Sequence, residues 1–164
     1  MAESAVPKVP RDGTLTIKDG TSPTANEYTV QYSDAVSITD TQTAAIHIYN
    51  RGTRVYTRQG NTAIPTISFN VIFTAWTDGT DGSIIDAMKG TGGFSSWTKV
   101  LTNVEHFNTT AVFTTEGTDF GDDVDGTATC TGLRLVDTSF SEGEPNTLTI
   151  NCEILGTITY TGGP

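Results

Sequence analysis

The sequence predicts an all-β fold: a β-sandwich or small barrel with one short flanking α-helix (about 83–89) and an extended N-terminal arm. The main observation is that segments 66–76 and 147–154 carry an apolar residue at every second position. Because a strand's side chains alternate between two faces, each segment buries one face and wets the other. The composition agrees, since 32 of the 164 residues are Thr and 17 are Gly, which suit half-wet strands and turns.

The elements follow in order along the chain. Residues 1–13, with prolines and mixed charge, are expected to form a flexible arm. Residues 14–164 are expected to form a single β domain, with a projecting hairpin or loop at about 33–63. Asn50-Arg51-Gly52 separates two short strand candidates within that projection and predicts a tight turn between them. The strands predicted in the first half cover residues 14–18, 26–32, 45–49 and 53–58.

A helix is predicted after the long central strand 66–76. Ser83 can cap its N-terminus, Asp86 stands at the capping-box position, and Gly90 can end it. Ile84, Ile85 and Met88 would supply its apolar side. Gly156 predicts a bulge or bend in the last strand. The strands expected in the second half cover residues 97–102, 109–115, 127–136 and 147–160.

The charge distribution is uneven. The formal net charge of −10 argues against a protein that grips nucleic-acid phosphates. From Leu101 onward there are ten acidic residues and one base, whereas the segment 51–58 has three arginines and no acid. The two regions are either solvated loops or, if copies pack head to tail, complementary contacts. The candidates for subunit-interface residues are Arg51, Arg54, Arg58, Asp119, Asp122, Asp123 and Asp125.

No catalytic, cofactor or metal site is predicted. The acidic loop, residues 116–126, fails the EF-hand spacing, because Gly121 and Gly132 stand where ligands are required. His47 and His106 have no neighbouring catalytic partner in the sequence. Trp76 and Trp97 flank the helix and are expected to pack against its apolar side.

The two cysteines, Cys130 and Cys152, both fall in predicted strands and have no metal-binding spacing. Buried reduced thiols are the default expectation, and a disulfide between neighbouring strands is the alternative. The N-terminus carries no secretory signal pattern, and no apolar run approaches the roughly 18 residues of a membrane span. We therefore expect the protein to assemble in the cytoplasm and not to associate with a membrane.

The order of the elements resembles one known family. An arm leads to Asp12-Gly13-Thr14-Leu15-Thr16-Ile17-Lys18-Asp19-Gly20 and then to a strand with Tyr28 and Val30. An arginine-bearing segment, 49–61, leads to Pro65-Thr66-Ile67-Ser68-Phe69, followed by the short helix and a Thr-rich β half. From about residue 12 to 160 this order resembles the major tail tube proteins of long-tailed bacteriophages.

The resemblance implies a structural virion protein whose six-membered rings stack into a tube around a DNA channel. It also implies a location in the virion tail. The expected partners are further copies of the chain, the tape measure, terminator and distal tail proteins, and double-stranded DNA in transit without specific binding. A polar, net-negative channel would repel the DNA phosphates. The lumen-facing candidates are Thr147, Thr149, Asn151 and Glu153.

Two alternatives stay open at the level of sequence. One is another virion component, such as a capsid decoration protein. The other is a β-sandwich binding module of the adhesin or carbohydrate-binding kind, for which an export signal would be expected. An enzyme is the least favoured interpretation, because the sequence offers scaffolding signals and no catalytic one.

Overall fold

A computed structural model describes residues 13–31, 36–76, 82–115 and 125–162. Within these ranges the chain is built of strands, one short α-helix and one 3₁₀ turn, Gly92–Phe94, so the predicted all-β class is confirmed. The helix is α1 (Ile84–Lys89). The strands are β1 (Gly13–Lys18), β2 (Glu27–Val30), β3 (Ser37–Thr39), β4 (Ala45–Asn50), β5 (Thr53–Gln59), β6 (Thr66–Ile72), β7 (Thr109–Thr115), β8 (Gly126–Ser141), β9 (Thr147–Ile154) and β10 (Ile158–Thr161).

Strand β8 organises the main sheet, whose order is β2-β1-β7-β8-β9-β6-β3 with β10 also on β8. Its first half lies between β7 on one side and β10 on the other. Its second half pairs with β9. The register shows that β9 and β10 follow one another along the same side of β8. The sheet therefore consists of two half-sheets, β2-β1-β7-β8-β10 and β8-β9-β6-β3, that share β8.

The two half-sheets enclose one core. Leu15 and Ile17 of β1 belong to the same buried cluster as Phe69 of β6 and Ile150 of β9. The amide of Ile72 donates to the carbonyl of Gln31 (3.0 Å), which joins the end of β6 to the end of β2. The alternation in segments 66–76 and 147–154 predicts a core of seven large apolar residues, of which six are buried and the seventh, Phe73, is only partly buried. These six are Ile67, Phe69, Val71, Leu148, Ile150 and Ile154.

Helix α1 forms where the sequence predicts it. The Ser83 side chain accepts from the amide of Asp86, and the Asp86 carboxylate accepts from the amide of Ser83, which completes the capping box. Gly90 ends the helix at a φ of 64°, in the left-handed region that glycine adopts easily. Ile84 and Met88 are buried in the core cluster, so the helix covers the sheet with its apolar side.

Several predicted strands have the wrong limits: β8 continues to Ser141 rather than to 136, and the last predicted strand, 147–160, is divided into β9 and β10. The predicted strand 97–102 is a loop, because its backbone groups bond to side chains and to isolated backbone groups rather than to a neighbouring strand. The Thr98 amide donates to an Asp19 carboxylate oxygen (3.1 Å), and the Leu101 amide donates to the side-chain oxygen of Asn108 (2.7 Å). The central strand ends at Ile72 rather than at Trp76, one hydrogen bond short of the turn before β9, where the Phe73 amide donates to the carbonyl of Asn146.

The hairpin of β4 and β5 is separate from the main sheet. Among the described residues its two strands pair only with each other, through a turn at Arg51 and Gly52 with φ angles of 49° and 83°. Every residue of both strands is exposed. The hairpin and β3 lie within the region 33–63, and β3 belongs to the main sheet through β6. The arm assigned to residues 1–13 lies outside the described residues apart from Gly13, which begins β1.

Asp19 holds the turn between β1 and β2 against the loop before β7. Its buried carboxylate accepts hydrogen bonds from the amides of Thr21, Asn26 and Thr98 and from the side chains of Thr21 and Asn26. Burial alone raises the pKa of this carboxyl, but the hydrogen bonds outweigh it and lower the pKa to about 2. The charged form of Asp19 is therefore part of the folded structure.

We expect Asp19→Asn to destabilise the domain in a pH-dependent way. Because the folded pKa is depressed from 3.8 to about 2, the charged form contributes roughly 2 kcal/mol above pH 4. This contribution is lost as the pH falls through about 2. Urea unfolding of both proteins at several pH values measures it. The stability difference between wild type and variant should shrink from pH 6 to pH 2, and a constant difference would contradict the role of the carboxylate.

Candidate assembly surfaces

One broad face of the second half-sheet is covered with short polar side chains. Along β9, buried and partly buried residues alternate without a break, so its apolar residues face the core and its polar residues face away. The register brings the polar residues of β3, β6 and β8 to the same side. We call this the polar face. Its members are Ser37, Thr39, Thr66, Ser68, Asn70, Ile72, Arg134, Asp137, Ser139, Ser141, Thr147, Thr149, Asn151 and Glu153.

Hydrogen bonds between neighbouring strands hold the side chains of the polar face in place. Asn151 accepts from the hydroxyl of Ser68 and donates to the carboxylate of Asp137, both at 2.7 Å. The hydroxyl of Thr149 donates to the side-chain oxygen of Asn70, also at 2.7 Å. Since these groups bind one another, the face is smooth and pre-ordered rather than a set of free side chains.

The charges on the polar face are few and mostly paired. Arg134 donates to Glu153 at 2.8 Å, and both side chains are about one-third exposed. Asp137 is the other acid on this face and is exposed. One cation and two carboxylates leave a formal charge of −1. The net charge of the face therefore corresponds to Asp137, because the carboxylate of Glu153 is offset by Arg134.

All four lumen-facing candidates lie together on the polar face. Thr147, Thr149, Asn151 and Glu153 occupy alternate positions of β9, and each is partly buried between the flanking strands β6 and β8. The geometry thus brings the predicted residues to one surface. That this surface lines a channel stays a prediction.

The interface candidates lie in two regions of the chain. Arg51 occupies the hairpin turn, and Arg54 and Arg58 lie on β5, all exposed. Asp119, Asp122 and Asp123 lie outside the described residues. Asp125 is exposed and directly precedes β8. The proposed pairing between these arginines and these acids remains a prediction.

An aromatic cluster at one end of the core was not foreseen. The rings of Phe73, Trp76 and Phe140 contact one another with centroid separations of 4.8, 5.0 and 5.1 Å. The expectation that Trp76 packs against the helix is wrong: its ring contacts Phe73 edge-on and Phe140 at a tilt, and it is 56% exposed. Trp97 does pack inward, edge-on to Phe94. The sequence signal for the cluster was Phe140, which continues the inward alternation of β8 opposite Leu148.

The second half of β8 has an open backbone edge. Strand β7 stops pairing at Leu133, whereas β8 continues to Ser141. Within the described ranges no strand pairs with this edge from Arg134 onward, although β9 occupies the opposite edge. An unpaired edge of this length presents free N–H and C=O groups to another chain.

The described residues offer little to reaction chemistry. Both cysteines are free and buried; burial, with a smaller effect of a nearby carboxylate, raises the pKa of Cys130 to about 11 and that of Cys152 to about 12. Such thiols are poor nucleophiles at neutral pH. His47 contacts the hydroxyl of Thr57 across the exposed hairpin (3.0 Å). In the described part of the chain no group of three or more metal-binding side chains comes together, and no helix is long and apolar enough to span a membrane.

No protein-family model matches the sequence, and no curated protein matches it significantly. Solved structures do match. The sheath/tube terminator of an extracellular contractile injection system (PVC, extended state) has a TM-score of 0.64 at 8% identity, over 99% of this chain and 100% of that chain. The tube-terminating cap of the anti-feeding prophage has a TM-score of 0.61 at 11% identity, over 99% and 96% of the two chains.

A third similar structure is the sheath–tube complex of the same type of extracellular injection system. Its TM-score is 0.62 at 10% identity, over 96% of this chain and 93% of that chain. At this level of identity the likeness shows a shared fold. The chain thus has the fold of tube and tube-terminator proteins of contractile injection systems. This agrees with the fold implied by the resemblance to phage tail tube proteins.

We expect Asn151→Ala to lower the free energy of unfolding by about 1 to 2 kcal/mol, because it removes the hydrogen bonds to Ser68 and Asp137. Thr147→Ala is the matched control on the same strand face, since the Thr147 side chain makes no hydrogen bond to the described residues. Denaturant unfolding compares the two. Equal losses for both variants would show that the hydrogen-bonded row does not stabilise the polar face.

Proposed function

We propose that this chain is the major tail tube subunit of a long-tailed bacteriophage. Rings of six copies stack into a tube, and the polar face lines a channel through which double-stranded DNA passes. The tube is assembled in the host cytoplasm and remains in the virion tail. Its partners are neighbouring copies and the tape measure, terminator and distal tail proteins. The coarser part of this proposal, a structural tail component, is supported by the fold shared with tube and terminator proteins.

The observation that carries the channel assignment is the chemistry of the polar face. Its residues are mainly Thr, Ser and Asn, and they hydrogen-bond to one another across the strands. The face has one cation, Arg134, which is held by Glu153. DNA binding to proteins depends on lysine and arginine contacts with phosphates. A channel wall whose single cation is neutralised stays hydrated and does not bind the DNA phosphates.

The described surface also suits assembly into rings. The open edge of β8 can continue its sheet into a neighbouring copy, which would satisfy the free backbone groups. The basic hairpin and the acidic regions are different parts of the chain. Each copy can therefore contribute its hairpin to one neighbour and its acidic residues to another. In this proposal Arg51, Arg54 and Arg58 contact acidic residues of a neighbouring copy, for which Asp119, Asp122, Asp123 and Asp125 form one candidate set.

A second candidate function is a tube-terminating ring. Two of the similar structures are a terminator and a terminating cap, and each covers nearly the whole of both chains. A terminator forms one ring and stops, whereas a tube subunit adds further rings to both faces. Assembly of the purified protein therefore distinguishes the two functions.

Electron microscopy of the purified protein over a range of concentrations tests the proposal. We expect rings at low concentration and tubes of uniform diameter at high concentration. Single rings that never stack at any concentration would favour the terminator. Compact monomers across all salt and protein concentrations, together with virions whose tubes lack this chain, would contradict both functions.

We expect Glu153→Lys to slow DNA ejection while tubes still form. The substitution leaves Arg134 without its partner and changes the formal charge of the polar face from −1 to +1 in every copy, so the channel would attract phosphates. Glu27→Lys is the matched control, because it also breaks an exposed ion pair, with Lys18, but lies on β2 away from the polar face.

Ejection kinetics of virions that carry each variant provide the measurement. The channel assignment predicts slower ejection for Glu153→Lys than for Glu27→Lys, with a larger effect at low ionic strength. Normal tubes with the same ejection kinetics for both variants would place the polar face away from the DNA.

A further inference from the structure

The aromatic cluster extends the apolar core to the solvent-exposed surface. Phe140 points inward because it stands opposite the buried Leu148 in the register of β8 and β9. Its ring is nevertheless 39% exposed, and Trp76 beyond it is more exposed still. The apolar interior thus continues into a surface of contacting aromatic rings. Large, rigid rings of this kind contribute much of the energy of protein interfaces.

The β4–β5 hairpin also exposes apolar side chains, but these are not connected to a core. An isolated two-stranded hairpin is marginally stable in water unless it packs against something else. In this chain the hairpin pairs with no other described strand, and its apolar residues stay largely exposed. These residues are Ile46, Ile48, Tyr49, Val55 and Tyr56. No described element of the same chain covers these residues, so the hairpin needs a further surface to pack against.

The charges around the two surfaces are complementary. The hairpin carries Arg54 and Arg58 on β5 and Arg51 at its turn, with no acid between residues 45 and 60. The turn that follows Phe140 carries the exposed Glu142 and Glu144. From residue 135 to the end of the sequence given there is no Lys or Arg. The hairpin combines apolar side chains with positive charge, and the aromatic cluster combines an apolar surface with an acidic border. Two such surfaces are complementary in both hydrophobicity and charge.

We infer that the aromatic cluster (Phe73, Trp76 and Phe140), together with the acidic turn at Glu142 and Glu144, is the docking surface for the β4–β5 hairpin of a second copy. The apolar side chains of the hairpin cover the rings, and its arginines face the two glutamates. This inference rests on the proposed self-assembly and adds the surface that receives the hairpin. Because the two surfaces differ, each copy can both give and receive a hairpin, and head-to-tail repetition of this contact builds a ring.

Trp76 reports directly on this contact. The chain has two tryptophans, so Trp97→Phe leaves Trp76 as the only one. Docking removes its indole from water, and its emission should shift to shorter wavelength when the monomer assembles. Tubes or rings that form without such a shift would overturn the docking surface and leave the proposed function standing. A failure to assemble at all, with the parent chain also monomeric, would contradict both.

A charge exchange tests the partner. Arg54→Glu with Arg58→Glu, and separately Glu142→Lys with Glu144→Lys, should each raise the protein concentration needed for assembly at least about tenfold, because each brings like charges together. One chain that carries all four substitutions should assemble again near the original concentration. Far-ultraviolet circular dichroism of each variant checks that the fold is retained.

Asp122→Lys with Asp123→Lys is the comparison arm, because the acidic loop is the other possible partner of the hairpin. If that pair, and not the Glu142 and Glu144 pair, restores assembly of the arginine variant, the hairpin docks at the acidic loop and the inference is wrong. Restoration by Glu142→Lys with Glu144→Lys alone supports it. Restoration by neither pair would show that charge does not select the docking surface and would also overturn the inference.

Discussion

Gly132 lies where β8 passes from one half-sheet to the other, and the remainder of the fold depends on this crossing. Its φ of 71° lies in the left-handed region, and a Cβ there would stand 2.3 Å from the side chain of Leu101. Gly156 faces it between β9 and β10, where a Cβ would stand 2.6 Å from the carbonyl oxygen of Thr131. Two glycines thus let two strand backbones bend together at close contact.

The two half-sheets on either side of the bend differ in which strands flank β8. Before Gly132, β8 lies between β7 and β10, and β1 on the far side of β7 contributes Leu15 and Ile17 to the core. After Gly132, β8 has β9 on one side and an open edge on the other. After the bend, β8 contributes residues to the polar face, has the open edge and carries Phe140. The channel-lining face and the open edge therefore both belong to the second half-sheet.

The sequence predicted the elements whose cause is local. The helix followed from Ser83, Asp86 and Gly90, because a capping box and a glycine end are readable within eight residues. The alternation of β6 and β9 correctly identified both the core and the polar face. The loop at 97–102 was misassigned as a strand, because side chains distant in sequence, such as Asp19, satisfy its amides. Only the folded chain brings such partners together.

The candidate sites were predictable to the same extent. Alternation placed Thr149 and Glu153 on one face, but it could not reveal that Arg134 pairs with Glu153, because the register of β8 and β9 depends on the bulge between Leu135 and Asp137. For the same reason Asp137 was not recognised as the acid that determines the net charge of the face. The aromatic cluster brings Phe140 onto Phe73 and Trp76, more than 60 positions earlier in the chain, so the alternation that turns Phe140 inward does not by itself identify its partners.

Cryo-electron microscopy of the assembled protein shows directly whether the polar face of β9 faces the channel. We expect a hollow ring or tube in which Thr149, Asn151 and Glu153 lie at the smallest radius, with the apolar face of β9 directed away from the axis. A hollow assembly in which these residues lie on the outer wall, or are covered by a neighbouring copy, would contradict it.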